Sequence, residues 1–309
     1  MNQRMLGSLS VSEVGLGCNN FGARLDQVGA QVVVDAAIES GVNFFDTADI
    51  YGATQSEVFL GDALGRRRSE VVIATKFGMP IDDTHFGAKP DYVRAACDDS
   101  LRRLNTDYID LYQLHYPDDK TPIADTIGAL QELVAAGKVR EIGCSNFTAD
   151  QLREAKAAAG SGPSFVSVQN QYSLLERAPE RDGVLDVCEE LGIGFLPFYP
   201  LANGLLTGKI RPGEPLPEGT RLANMPKERS VHWLSDEFSS CVRSLLEYSE
   251  DTHIPMLNFA FSWLLRRPVI SSVIAGASTA DQIRANANSV QELTDNQIEE
   301  LNRLTVTEG

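Results

Sequence analysis

Four polar residues, Asp46, Tyr51, Lys76 and His115, form a set that could deliver a proton to a carbonyl oxygen. An ammonium group held near a phenol favours the phenolate, which predicts a pKa for Tyr51 below its usual value of about 10. The Asp46 carboxylate can hold the lysine in place, and His115 can hydrogen-bond the same substrate oxygen. These residue types predict a site where a carbonyl is fixed against a hydride donor while Tyr51 gives a proton.

The elements that must position these residues are short apolar runs, rich in β-branched side chains, with helical stretches between them. Nearly continuous apolar runs are typical of parallel strands that are covered on both faces. Eight runs are candidate strands, at residues 14–18, 43–47, 71–76, 109–115, 139–145, 165–170, 194–199 and 269–276.

The stretches between these runs carry the start and stop signals of helices. Thr121 offers an N-cap, Pro122 follows it at the first helical position, and Gly137 ends that helix. A threonine followed three residues later by glutamine is the capping-box pattern, and it marks helix starts at Thr148, Thr279 and Thr294. Strands and helices that alternate eight times over 309 residues favour a single closed (β/α)₈ TIM barrel domain, residues 1–309, with an open doubly wound sheet as the alternative.

Polar residues recur at or just past the carboxyl ends of the candidate strands. In a parallel barrel these ends converge on one rim, where the active sites of such folds lie. A proline- and glycine-rich stretch, residues 200–234, is a candidate lid over this rim, because so long a loop in a compact domain is usually functional. The polar residues at the rim are Asp46, Lys76, His115, Ser145, Asn146, Gln169 and Tyr199.

Six segments resemble signatures of the aldo-keto reductase family, in the family's order and over nearly the whole chain. Four are FDTADIYG (45–52), ATKFG (74–78), DLYQLH (110–115) and GKVREIGCSNF (137–147). PFYPLANGLLTGK (197–209) and IAGASTADQIRAN (274–286) resemble the family's two cofactor-binding segments. The resemblance implies an NADPH-dependent reductase of aldehydes or ketones, with Tyr51 as general acid in a catalytic tetrad completed by Asp46, Lys76 and His115.

The resemblance also implies which residues hold the cofactor. Ser145, Asn146 and Gln169 match the residues that hydrogen-bond the nicotinamide carboxamide. Phe198 aligns with the aromatic that stacks on the nicotinamide ring, but Tyr199 occupies the family's usual serine position, so either ring is a candidate. The remaining matches are Leu201, Gly204, Leu206 and Lys209 at the pyrophosphate, with Arg221 as a second cation there, and Gly276, Ser278, Gln282 and Asn286 at the adenosine end.

The adenosine segment bears on the choice between NADPH and NADH. Ser278 and Gln282 stand at the start of a predicted helix, whose free N–H groups favour a phosphate and so support NADPH. Family members that prefer NADPH most strongly often have lysine and arginine here, where this chain has Gly276 and Gln282. NADPH is therefore the expected cofactor and NADH an open alternative.

Aromatic residues divide into candidate pocket residues and candidate core residues. Those in the presumed rim loops, which could line the substrate pocket, are Phe21, Phe86, Tyr116 and Trp233. Those within or beside the candidate strands, which we expect in the core, are Phe44, Phe45 and Phe195. The expected partner is a small carbonyl compound, and the sequence indicates no oligomeric state.

Charge and composition exclude several classes of partner. A formal net charge of −16 argues against nucleic acids and anionic membranes, because surplus carboxylates repel phosphates. No apolar run approaches the roughly 18 residues that span a bilayer, and MNQRMLGSLS lacks the apolar stretch of a secretory signal, so we expect a cytoplasmic protein. The five cysteines are scattered without a C-x-x-C pair, and we expect reduced thiols and no metal site.

Two other functions are compatible with the same barrel. The cytoplasmic β subunits of potassium channels share the fold and the cofactor, so the barrel alone does not establish turnover. The presence of the complete tetrad favours catalysis. A Schiff-base lyase or aldolase would use Lys76 as its nucleophile, but it would leave Tyr51 and both cofactor segments without a task.

Overall fold

A computed structural model describes residues 1–305. It opens with an antiparallel hairpin of β1 (Gln3–Leu6) and β2 (Leu9–Ser12), which reverses at Gly7 with a φ of +59°. Leu6 and Val11 are buried in a cluster with Phe44, the first residue of the second barrel strand. The hairpin therefore covers the amino-terminal end of the barrel, opposite the rim that carries the polar residues. The candidate strands predicted from the sequence begin at residue 14 and do not include this hairpin.

Eight parallel strands form the barrel. Their order in the sheet is β10, β3, β4, β5, β6, β7, β8, β9, and each neighbouring pair is parallel. Phe195 closes the ring, because its N–H donates to the carbonyl of Val269 (2.8 Å) and its own carbonyl accepts from Ser271 N–H (3.1 Å). The predicted (β/α)₈ barrel is confirmed. Its strands are β3 (Val14–Gly17), β4 (Phe44–Asp46), β5 (Val72–Phe77), β6 (Ile109–Leu114), β7 (Val139–Ser145), β8 (Ser167–Gln171), β9 (Gly194–Phe198) and β10 (Val273–Gly276).

Helices surround the strands. Within residues 1–305, no helix combines the length and the apolar character needed to cross a bilayer. Short 3₁₀ segments occupy Gly65–Glu70 and Ala202–Thr207. The α-helices are α1 (Gln27–Glu39), α2 (Gln55–Leu64), α3 (Pro90–Arg103), α4 (Ile123–Ala135), α5 (Ala149–Ala159), α6 (Ala178–Arg181), α7 (Val184–Leu191), α8 (Lys227–Trp233), α9 (Asp236–Thr252), α10 (Met256–Leu265), α11 (Ala280–Ala287) and α12 (Asp295–Thr305).

The predicted helix signals are largely confirmed. Thr148 and Thr294 each form a complete capping box with the glutamine three residues later. Thr279 accepts from Gln282 N–H, but the Gln282 side chain accepts from the N–H of Ser278 instead of completing the box. Helix α4 starts one residue later than predicted, because Pro122 is its N-cap and Thr121 donates its hydroxyl to Asp118 (2.8 Å).

The structure confirms the predicted core phenylalanines but differs from the predictions for Phe21 and for residues 200–234. Phe44, Phe45 and Phe195 are fully buried, as expected of core residues. Phe21, which the sequence analysis placed in the substrate pocket, is also fully buried within the main hydrophobic core, so that placement is wrong. Residues 200–234 are not a loop throughout, since they include the 3₁₀ segment and helix α8.

Gly52 is the point where the loop after β4 touches the loop after β3. Its φ is +57°, and a Cβ there would overlap the carbonyl oxygen of Phe21 and lie 2.9 Å from the Cα of Gly22. Backbone atoms cannot move aside as a flexible side chain can. The neighbouring Tyr51 therefore depends on a close approach that only glycine permits.

We expect Gly52→Ala to lower the thermal unfolding temperature more than Gly137→Ala does. Gly137 also has a positive φ, of +72°, but no atom lies within 4 Å of the Cβ that alanine would add, so its substitution adds only the left-handed strain of about 1–2 kcal/mol. Gly52→Ala adds a backbone overlap to the same strain. Equal unfolding temperatures for the two variants would contradict this account.

Candidate functional site

A buried ion pair lies at the centre of the rim. Lys76, near the end of β5, places its Nζ 2.7 Å and 2.6 Å from the two carboxylate oxygens of Asp46, the last residue of β4. The Nζ also donates to the carbonyl oxygen of Thr47 at 3.0 Å. Lys76 is fully buried and Asp46 is 3% exposed. All three donor positions of the ammonium are therefore occupied by protein oxygens.

Tyr51 lies beside this pair in the loop between β4 and α2. The Nζ of Lys76 is 5.3 Å from the centroid of its ring, and the His115 ring meets it edge-on with centroids 5.8 Å apart. Burial and the Asp46 carboxylate raise the pKa of Tyr51 well above its ordinary value, whereas the sequence analysis expected a lowered pKa. The reason is that the Lys76 charge is matched by Asp46, so burial of the phenol dominates.

His115 follows β6 and is neutral. Burial, followed by the Lys76 charge, lowers the pKa of its imidazole to about 3. Its Nδ1 is buried without a hydrogen-bond partner among residues 1–305, which leaves Nε2 as the ring nitrogen able to meet a ligand. Its ring stacks on that of Tyr116, with centroids 5.7 Å apart and planes inclined by 19°.

Ser145, Asn146 and Gln169 come together at the ends of β7 and β8, beside His115. The Ser145 hydroxyl donates to the Gln169 carbonyl (2.6 Å), and the Asn146 amide donates to the His115 carbonyl and to Ser145 Oγ, both at 3.0 Å. The Gln169 side-chain amide donates to Asp46 Oδ1 at 2.8 Å. These three residues thus link the backbone of His115 to the Asp46–Lys76 ion pair through hydrogen bonds.

Gln113 is a member of this network that the sequence analysis missed. It is fully buried on β6, its amide lies 3.5 Å from Asp46 Oδ1, and its carbonyl oxygen lies 3.5 Å from Ser167 Oγ. The available signal was a glutamine inside an otherwise apolar strand, since a buried amide requires hydrogen-bond partners.

Aromatic rings flank the tetrad on the side of β9. Tyr199 has a φ of +51° and is 38% exposed, whereas Phe198 is half-buried. Their rings meet edge-on with centroids 5.3 Å apart, and Trp233 meets Tyr199 edge-on at 6.5 Å. Phe86 is 44% exposed on the loop after β5. Tyr199 is therefore the more accessible of the two candidate stacking rings.

The segment after β9 presents backbone and cationic groups. Gly204 has a φ of +104°, Leu201 is half-buried and Lys209 is exposed. Leu206 is fully buried, so only its backbone could meet a ligand. Arg221 reaches across the barrel mouth, with its Nη2 3.3 Å from Asn19 Oδ1 and 3.4 Å from Asn20 Oδ1 in the loop after β3.

The adenosine-end candidates follow β10. Gly276 is exposed, and a Cβ at this position would lie 3.2 Å from Asn19 Oδ1. The Asn20 amide donates to the carbonyl of Ala277 (3.1 Å), which ties this segment to the loop after β3. Gln282 Oε1 accepts from both the N–H and the hydroxyl of Ser278, and Asn286 is 4% exposed on α11.

Comparison with known proteins assigns the family. The model of the Aldo/keto reductase family matches residues 13–305, nearly the entire chain. The chain belongs to the aldo/keto reductase family. It is 35% identical to the uncharacterized oxidoreductase YqkF of Bacillus subtilis over 97% of this chain and 95% of that protein. It is 36% identical to the uncharacterized oxidoreductase YrpG of the same organism over 94% and 90%.

A solved structure supports the same assignment. The aldo-keto reductase AKR11C1 from Bacillus halodurans, in its holo form, is similar with a TM-score of 0.81 and 33% identity, over 99% of this chain and 97% of that chain. The barrel of this aldo/keto reductase is therefore matched along its full length by a relative of the same fold.

Asp49 is a second buried carboxylate in this aldo/keto reductase, two residues before Tyr51. It is fully buried, and neither of its oxygens has a hydrogen-bond partner among residues 1–305. Burial, reinforced by the charge of Glu57, raises its pKa to about 7. Glu57 is itself committed to Arg103 (2.6 Å) and Thr75 (2.5 Å). Asp49 therefore opposes folding whenever it is ionised.

We expect Asp49→Asn to stabilise the aldo/keto reductase at pH 8 but not at pH 4. The folded-state pKa lies above the unfolded value of about 3.9, so stability is full below pH 4 and is lost as the pH rises to 7, by up to about 4 kcal/mol. The measurement is the unfolding free energy of both proteins across this range. The exposed Asp107→Asn is the control, and an Asp49→Asn difference that does not grow with pH would contradict the expectation.

Proposed function

We propose that this protein transfers a hydride from NADPH to the carbonyl carbon of an aldehyde or ketone, giving an alcohol. Tyr51 is the general acid that protonates the carbonyl oxygen. The observation that carries the proposal is that the Tyr51 ring lies near both the Lys76 ammonium (5.3 Å) and the His115 imidazole (5.8 Å) at the rim of the barrel. The roles of all these residues are part of the proposal.

The reaction needs a bound carbonyl and a proton at the right atom. When bound, NADPH would supply the hydride that reduces the carbonyl carbon, and the carbonyl oxygen would then need a proton. Tyr51 Oη donates a hydrogen bond to that oxygen and then its proton, and the phenolate later regains a proton from solvent. His115, being neutral, donates from Nε2 to the same oxygen and orients the carbonyl.

The raised pKa of Tyr51 fits reduction better than the reverse reaction. A phenol that stays protonated at neutral pH is ready to act as an acid, and the alkoxide formed by hydride addition is a stronger base than phenolate. The phenolate that remains is disfavoured by burial and by Asp46, so it readily regains a proton. Alcohol oxidation requires Tyr51 to begin as phenolate, and that state is scarce at neutral pH.

The residues at the rim fit a dinucleotide. Ser145, Asn146 and Gln169 offer hydroxyl and amide groups for the carboxamide, and Tyr199 offers an accessible ring face for the nicotinamide. Lys209 and Arg221 supply cations for the pyrophosphate. Gly276, where a Cβ would crowd Asn19 Oδ1, leaves space for a ligand at the adenosine end, together with Ser278, Gln282 and Asn286. We propose NADPH over NADH because the N–H groups at the start of α11 favour a phosphate, as the 2′-phosphate of NADPH would be.

The alternative with Lys76 as a Schiff-base nucleophile has less support. Nucleophilic attack requires an unprotonated amine with a free lone pair. The Lys76 Nζ is fully buried and is held by both oxygens of Asp46 and by the Thr47 carbonyl. Those contacts leave the amine no free position from which to attack a carbonyl carbon, and they favour a positioning role.

We expect Tyr51→Phe to lower kcat for reduction of a nitrobenzaldehyde by at least about 10²-fold, the usual range for a lost general acid. NADPH affinity, followed by fluorescence titration, should stay within a factor of two or so, because the ring remains. Tyr108→Phe, the same change where the ring lies between Arg68 and Arg140, is the control and should leave kcat unchanged. A variant that loses affinity and rate in parallel would argue against proton donation by Tyr51.

The pH dependence offers a second test. Reduction should show no inflection near pH 6.5 from His115, because its pKa is about 3 in the folded protein. Alcohol oxidation with NADP⁺ should instead keep rising with pH through 9, because it needs the Tyr51 phenolate. Initial rates in both directions between pH 5 and 9 check this, and a reduction profile that falls through pH 6.5 in the wild type but not in His115→Gln would overturn it.

A further inference from the structure

We infer that Ser56 is a positioning residue for the proposed proton donor, because it holds the loop that carries Tyr51 in a fixed relation to Lys76. The inference rests on the proposed function. It adds a residue that neither the tetrad nor the two cofactor segments contain. It is carried by three hydrogen bonds of Ser56, two made by its hydroxyl and one by its backbone N–H.

The two ends of the Tyr51 loop are joined by buried hydroxyl groups. Thr47 directly follows β4, Ser56 is the second residue of α2, and both are fully buried. Their hydroxyl oxygens lie 2.8 Å apart, and Ser56 Oγ also donates to the carbonyl of Cys18 at 2.9 Å. Because a carbonyl can only accept, the single hydroxyl proton of Ser56 goes to Cys18, and Thr47 must donate to Ser56. The loop is thus closed at its base and tied to the residue that follows β3.

The backbone of Ser56 holds Tyr51 directly. Helix α2 begins without a capping side chain, since Thr54 at its N-cap makes no such hydrogen bond. The Tyr51 loop supplies acceptors for the free N–H groups of the first turn instead. Gln55 N–H donates to the carbonyl of Gly52 (3.1 Å), and Ser56 N–H donates to the carbonyl of Tyr51 (3.2 Å). A shift of Ser56 is therefore passed to the backbone of Tyr51.

The backbone between Tyr51 and α2 is strained. Gly52, Ala53 and Thr54 have φ values of +57°, +51° and +73°. Residues with a Cβ seldom adopt this left-handed conformation, and they keep it only where the surrounding structure fixes them. The closure of the loop by Ser56 supplies that constraint, so its loss allows this backbone to relax next to the proposed proton donor.

The same contacts connect the loop to the buried ion pair. The Thr47 carbonyl accepts from Lys76 Nζ at 3.0 Å, while the Thr47 hydroxyl donates to Ser56. Glu57, the next residue of α2, is fully buried and accepts from the hydroxyl of Thr75 (2.5 Å), the residue before Lys76. The start of α2 is thus fixed against the ends of both strands that carry the ion pair. Ser56 thereby sets the position of the loop relative to the lysine.

The test compares Ser56→Ala with Ser12→Ala. Ser12 is a matched control, because it is also fully buried and its hydroxyl donates to the carbonyl of Val14 (2.7 Å) and accepts from Asn43 N–H (3.1 Å), at the opposite end of the barrel. We expect Ser56→Ala to lower kcat for reduction of a nitrobenzaldehyde by about 10- to 100-fold, because a small displacement of a catalytic group is costly. KM and the NADPH Kd should stay within about twofold. Ser12→Ala should lower the unfolding temperature similarly but keep the wild-type kcat.

Double variants show whether Ser56 acts through Tyr51. In a Tyr51→Phe background, Ser56→Ala should lower the remaining kcat by less than about twofold, because no proton donor is left to position. Thr47→Val removes only the hydroxyl that donates to Ser56, and it should lower kcat in the same direction. It tests the same hydrogen bond if Ser56→Ala does not fold.

Each outcome bears on the inference. A wild-type kcat in Ser56→Ala or in Thr47→Val, or effects of Ser56→Ala and Tyr51→Phe that multiply, would overturn it and leave the proposed function intact. A rise in KM or in the NADPH Kd that accounts for the whole loss of kcat/KM would also overturn it, by assigning Ser56 to ligand binding. Wild-type protein that binds NADPH but reduces no aldehyde would instead contradict the proposed function, and the inference with it.

Discussion

The ion pair between Asp46 and Lys76 is the interaction on which the rest of the rim depends. Removing one partner of a buried pair commonly costs about 3–5 kcal/mol, because it leaves an uncompensated charge. The barrel meets this constraint by bringing strand ends into register, with Asp46 opposite Ala74 and Lys76 opposite Gln113. Amides from Gln113 and Gln169 then face the same carboxylate. The Asp46–Lys76 pair and the cofactor-binding candidates Ser145, Asn146 and Gln169 are thus parts of one hydrogen-bonded unit.

Because Lys76 is paired with Asp46, the lysine does not lower the pKa of Tyr51. A free ammonium would draw the phenol towards ionisation, but one matched by a carboxylate leaves burial to set the pKa. In the proposed reaction, Tyr51 therefore keeps its proton until the alkoxide, a stronger base, forms next to it. His115 is neutral for a related reason, because an imidazolium beside Lys76 would be a second buried cation.

The sequence predicted the barrel and the rim residues because both depend on local patterns: apolar runs, helix caps and polar residues at strand ends. It failed where the outcome depends on tertiary partners. Phe21 follows a strand like a pocket residue, yet its ring turns into the core. The β1–β2 hairpin is too short to show a period, and it forms because Leu6 and Val11 cover the barrel floor. The expected pKa of Tyr51 had the wrong sign because sequence spacing shows which groups are near, and not which charges are already matched.

In this acidic protein, the cations that hold the fold differ in their partners from those proposed to bind a ligand. Cations that hold the fold have carboxylate partners, as Lys76 has Asp46 and Arg103 has Glu57. Arg221 is instead held by amide oxygens at the barrel mouth, which fix its direction and preserve its charge. A surface with a net charge of −16 repels anions in general, so the proposed anionic cofactor needs cations whose charge is preserved, as that of Arg221 is. The proposed position of the dinucleotide thus follows from whether each arginine has a neutral or an acidic partner.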